Sequence, residues 1–104
     1  MTYNLTNIKT SRSHNGYAMS CLFLIDGITV ANFVDKGDGS EPTFYGNPND
    51  TAKKLMAEFE NKLAGLPEIY MPDYGMDLKI DRSLFIDLLH AAIVNKTEFK
   101  LLAA

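Results

Sequence analysis

Four groups of side chains in this 104-residue sequence have the types and spacing to do chemistry. The first is Asp35-Lys36-Gly37-Asp38-Gly39-Ser40-Glu41, three acids on a glycine-containing loop. Hard divalent cations want several carboxylate oxygens on a bendable backbone, so Asp35, Asp38 and Glu41 define the metal-dependent enzyme reading. The spacing departs from an EF-hand, because Gly37 would stand at position three and no bidentate Glu follows at position twelve. No Gly-Lys-Ser/Thr follows either, so the loop lacks the phosphate-cradling pattern. The expectation is a solvated loop with no metal and no cofactor.

The second group is Cys21, His14 and His90. A thiolate nucleophile needs an electropositive, partly exposed pocket, a base and an oxyanion hole. Cys21 instead sits in the apolar run Met19-Ser20-Cys21-Leu22-Phe23, and is expected as a small buried hydrophobe. It is also the single cysteine, which removes an intramolecular disulfide and a cysteine-built zinc site. His90 falls on the flank of a helical apolar stripe and His14 in a polar turn. Nothing here signals catalysis, and the expectation is a protein that is not an enzyme.

The third group is basic: Lys9, Arg12, His14 and Lys36. If these converged with a stacking tyrosine they would bind a small ligand such as a nucleotide, which they would sequester. Lys9, Arg12, His14 and Tyr17 also make a short basic aromatic strip of the kind single-stranded nucleic acid uses. The formal net charge is −3 and the sequence pI about 5.2, so nucleic acid is not an expected partner.

The fourth group is Ile69-Tyr70-Met71-Pro72-Asp73-Tyr74-Gly75-Met76. Tyrosine and methionine are enriched on binding surfaces, one through a large face with a polar tip and the other through a pliable stem. Tyr45, Tyr70, Met71, Tyr74 and Met76 are therefore the candidate protein-binding residues. The alternative is a long connection that pins itself to the core through its own side chains.

Local patterns say which elements must carry these groups. Two apolar runs, 16–25 and 28–34, flank Asp26-Gly27, a dipeptide suited to the positive φ of a two-residue hairpin turn. Regular pairing would set Ile25 against Ile28, Phe23 against Val30, Cys21 against Asn32 and Met19 against Val34. One face then holds Met19, Cys21, Phe23, Ile25, Ile28, Val30 and Val34, interrupted by Asn32. The other holds Ala18, Ser20, Leu22, Leu24, Thr29, Ala31 and Phe33, apolar enough to ask for cover by a helix or a second chain. A strand over 3–10 precedes the hairpin, with a polar turn at 11–16 between the two, and Thr43-Phe44-Tyr45 can add a fourth strand.

A first helix follows Asn47 as cap, with Pro48 in its first turn and Ala52, Leu55, Met56, Phe59, Leu63 and Leu66 on one stripe. Gly65 and Pro67 end it. A second starts after the cap Asp81 and carries Leu84, Phe85, Leu88, Leu89, Ala92 and Ile93, with Ile86 and Val94 widening the stripe and Asn95 as a left-handed stop. Residues 67–80 read as an irregular connection. The expected architecture is a single α+β domain over 1–104, an antiparallel sheet of three or four strands with two helices packed on one face.

Gly16-Tyr17-Ala18-Met19, Ile25-Asp26-Gly27, Asp35-Lys36-Gly37-Asp38-Gly39 and Phe44-Tyr45 together resemble a group of small phage and bacterial mobile-element proteins. In these a strand-turn-strand leads to a D-G-x-G-G-x-x-x-Y stretch and two helices. The likeness covers about the first half of the chain, and Ser40-Glu41 departs from it. It implies a phage or mobile-element setting and not a mechanism; small acidic proteins of that setting commonly bind a host factor, including one of host defence. The missing catalytic groups, the aromatic segment 69–76 and the apolar second sheet face together make the expected function a non-enzymatic interaction module, with self-association through that face. The alternative is the ligand-sequestering protein. The start Met1-Thr2-Tyr3-Asn4 lacks a basic region followed by an apolar one, and no stretch reaches the ~18 apolar residues of a membrane span. The expected compartment is the cytoplasm, without membrane contact.

Overall fold

The computed structural model describes residues 1–13, 16–38, 40–72, 74–97 and 99, with Ser13 described in its backbone only. It is an α+β protein, and the chain divides into two compact units, residues 1–56 and 57–103.

The first unit is built on a four-stranded antiparallel sheet in sequence order, β1 (Tyr3–Ser13), β2 (Gly16–Ile25), β3 (Ile28–Asp35) and β4 (Thr43–Gly46). Asp26 and Gly27 take φ of 52° and 80°, as a two-residue turn between right-twisted strands requires. The Asp26 carboxylate accepts from Thr2 N–H at 2.8 Å, and Asp26 N–H donates to the Thr2 carbonyl at 2.8 Å. β1 runs further than expected, pairing Arg12 with Tyr17 and Ser13 with Gly16.

Two irregularities reset the register. In β1 the pairing slips between Thr6 and Lys9, where Asn7 takes φ of 52°. In β3 it slips at Val30: Leu24 pairs with Thr29, but Phe23 pairs with Ala31, Cys21 with Phe33 and Met19 with Asp35. One extra residue on one strand is a β-bulge, and every side chain beyond it changes face. The regular pairing expected for this hairpin therefore holds only next to the turn. Ala31 and Phe33 join Met19, Cys21, Phe23 and Ile25 among the buried residues, while Asn32 is exposed and Val34 is half-buried. The bulge thus removes the polar interruption from the buried face. It also removes Ala31 and Phe33 from the second face, which presents Asn32 instead. Ile28, expected in the core, is exposed.

The bulge also decides where the first helix starts. Asn47 donates from its backbone N–H to the Val30 carbonyl at 3.0 Å and from Nδ2 to the Thr29 carbonyl at 2.8 Å. Its Oδ1 accepts from Asn49 N–H at 3.0 Å. The capping role falls to Asn49, whose Oδ1 accepts from Thr51 N–H at 2.9 Å and Ala52 N–H at 3.3 Å. α1 spans Asp50–Ala64, two residues later than a cap at Asn47 would set it.

In the second unit, α1 ends where Lys79 Nζ donates to the carbonyls of Ala64 and Leu66 at 3.1 and 2.6 Å, a cation on the negative end of the helix. α2 spans Arg82–Asn95 and is capped as expected by Asp81, whose carboxylate accepts from Leu84 N–H at 2.8 Å. The left-handed stop is Lys96 rather than Asn95, with φ of 54°, and its N–H and that of Thr97 close back on Ala92 and Ile93. Phe59, Leu63, Ile80, Phe85, Ile86, Leu89 and Ala92 are buried. Phe85 meets Phe59 edge-on at 4.7 Å between ring centres and Phe99 at 5.1 Å. The expected stripe shifts at its end, since Ile93 and Val94 are exposed.

Candidate partner-binding hairpin

The connection between the helices is a second, two-stranded sheet rather than irregular chain. β5 (Ile69–Met71) and β6 (Met76–Leu78) pair antiparallel, Ile69 with Leu78, Tyr70 with Asp77 and Met71 with Met76. Gly75 N–H donates to the Met71 carbonyl at 2.9 Å and Tyr74 N–H to the same oxygen at 3.0 Å, closing the loop. Gly75 reaches φ of 65°, where a side chain is strained, so glycine ends this turn without cost. The base of the hairpin is fixed by the next two residues. Lys79 grips the end of α1 and Ile80 is buried.

Direct cross-strand partners share a face of the ladder. Ile69, Met71, Met76 and Leu78 therefore lie on one face, and all but Met76 are half-buried. Tyr70 and Asp77 lie together on the other and are exposed. Tyr70 is 60%, Tyr74 63% and Met76 55% exposed, so the tyrosine rings and the tip methionine face solvent instead of pinning the connection down. Of the five candidate residues, the hairpin brings Tyr70, Met71, Tyr74 and Met76 onto one element. Tyr45 is a residue of β4, opposite Asn32 and 58% exposed. Sequence reasoning did not single out Asp77, which the pairing sets beside Tyr70, or the exposed Glu68. The one trace of that pairing in the sequence is a short alternation, Ile69, Met71 and then Met76, Leu78, on either side of a turn-forming stretch.

The basic candidates fall in the first unit. Lys9 and Lys36 both line a shallow depression of about 250 Å³ with Thr10, Ser11, Ser20 and Asp35. Arg12 lies elsewhere on the hairpin, its guanidinium 5.8 Å over the ring of its cross-strand neighbour Tyr17. His14 lies outside the described residues. In the acidic loop, Asp35 accepts from Gly37 N–H at 2.9 Å, and Asp38 accepts from the Ser40 N–H at 2.9 Å and from its hydroxyl. The Ser40 hydroxyl, then its N–H, hold the Asp38 carboxyl below its usual range. Among the described residues, no three His, Cys, Asp or Glu side chains group as a metal site. Cys21 is buried, and His90 is half-exposed on α2. No described helix is long and apolar enough to cross a membrane. Comparison with protein families, curated proteins and solved structures finds no match for the chain.

Proposed function

We propose that the protein is a non-enzymatic interaction module whose β5–β6 hairpin engages another protein. The observation that carries this reading is the exposure of Tyr70, Tyr74 and Met76 on a hairpin anchored at its base by Lys79 and Ile80. Exposed aromatic side chains on a firmly held element give contact area at low entropic cost, the usual make-up of an interface anchor. With the sequence resemblance, the reading extends to a phage or mobile-element accessory factor acting in the cytoplasm on a host protein. The ground for self-association is reduced, because Ala31 and Phe33 do not lie on the second sheet face.

The test is capture from native-host lysate by immobilised chain, quantified by mass spectrometry against a Tyr70→Ala/Tyr74→Ala double variant. A host protein that binds the parent and is lost from the variant supports the reading. Identical capture by both rejects the hairpin. The juxtaposition of Lys9 and Lys36 favours one second reading, a small anionic ligand held in the depression they line. A nucleotide at ~100 times its Kd would stabilise the chain by roughly 2.7 kcal/mol, which a thermal-shift screen detects.

A further inference from the structure

Charge is divided unevenly along the chain. Residues 1–56 hold five acidic and five basic side chains, whereas residues 57–104 hold eight acidic and five basic, so the entire net charge of −3 belongs to the second part. Within it, residues 67–78 carry Glu68, Asp73 and Asp77 and no Lys, Arg or His. The bases that follow it most closely in sequence have partners of their own: Lys79 Nζ donates to the carbonyls of Ala64 and Leu66, and Arg82 pairs with Glu60 at 3.3 Å. The exposed tyrosines thus sit in a locally acidic setting with no base on their own hairpin. Tyr70 and Asp77 are direct cross-strand partners, which puts an aromatic face and a carboxylate side by side on the exposed side of the ladder.

Resting on the interaction reading above, we infer that the β5–β6 hairpin docks an arginine-bearing segment of its protein partner. A planar guanidinium lies flat on the Tyr70 ring while its N–H groups reach the Asp77 carboxylate, so one side chain satisfies both. Tyr74 adds contact area at the tip, and Glu68, just ahead of β5, extends the negative field beside Tyr70. The chain already uses the same pairing within its first unit, where Arg12 covers Tyr17 across two strands. There the cation and the ring belong to one hairpin; β5–β6 has the ring and the acid, and the partner supplies the cation.

The test titrates ¹⁵N-labelled full-length protein with a peptide of alternating glycine and arginine, and with the same peptide carrying citrulline, the uncharged isostere, at each arginine. The expected result is amide shifts concentrated at residues 68–78, affinity that falls as salt rises, and binding about ten-fold weaker for the citrulline peptide. Tyr70→Ala and Asp77→Asn should each weaken the arginine peptide about two- to five-fold, while Glu58→Gln, an exposed acid on α1, should leave it unchanged. Spectral dispersion checks that each variant stays folded. Absence of shifts, equal binding of the citrulline peptide, or equal loss in Glu58→Gln overturns the inference. If the arginine peptide fails while the Tyr70→Ala/Tyr74→Ala variant loses its captured protein, the interaction reading stands and only the cationic partner falls.

Discussion

Asn47 and Asn49 divide two jobs that local pattern assigns to one residue. Both precede a helical stripe and both suit a cap; the choice depends on the Thr29 and Val30 carbonyls, 18 and 17 positions earlier in the chain, which no window around the helix contains. Asp81 was legible because nothing distant competes for its carboxylate. Replacing Asn49 with alanine removes the acceptor for the first turn of α1 and is expected to cost about 1 kcal/mol in urea unfolding. Asn47→Ala should cost more, about 1–3 kcal/mol, because it strips the Thr29 carbonyl of its side-chain donor as well as Asn49 N–H of its acceptor. Equal effects would contradict this division of labour. Tyr3 gives a pH signature. Burial, helped by the nearby Asp26 carboxylate, pushes its phenol above the ordinary 10.0. The folded state then favours the neutral phenol, so this contribution is complete below the unfolded value and disappears as pH rises through the folded one. Phenolate absorbance should report an ionisation step above the ordinary phenol value, and Tyr3→Phe should remove it.

Among the elements, the turn at Asp26-Gly27 and both helices were readable because their signals are local: a dipeptide fit for positive φ, capping side chains and a 3.6-residue rhythm. The bulge at Val30 was not, since its cause is a requirement of the whole sheet that Phe33 rather than Asn32 be buried. Asn32 interrupting an otherwise apolar face was the one trace of it in the sequence. The β5–β6 hairpin was missed for another reason: three residues per strand are too few for alternation to stand out from an irregular connection. Tyr70, Met71, Tyr74 and Met76 were singled out by type alone, because tyrosine and methionine content does not depend on register, and the hairpin that carries them was not foreseen. The turn itself can be tested. Gly27→Ala, at φ of 80°, is expected to destabilise by about 1 kcal/mol, measured as a lower urea midpoint with unchanged slope. No loss of stability would mean that the backbone does not hold that conformation.

Across the whole molecule, the described buried residues are all apolar, and the polar chemistry lies at the surface. The first unit carries balanced charge with a lysine-lined depression, the second an acidic aromatic hairpin. Their surfaces suit different ligands, which makes the rival readings separable by where a molecule binds. The most direct measurement places a photo-crosslinking benzophenone side chain at position 74, and in a second variant at position 17, then irradiates each in native-host cells. Tyr17 and Tyr74 are exposed to 66% and 63%, so accessibility is matched between them. The interaction account requires a discrete heavier adduct from position 74 and none from position 17. No adduct at 74, or the same adducts from both positions, would contradict it.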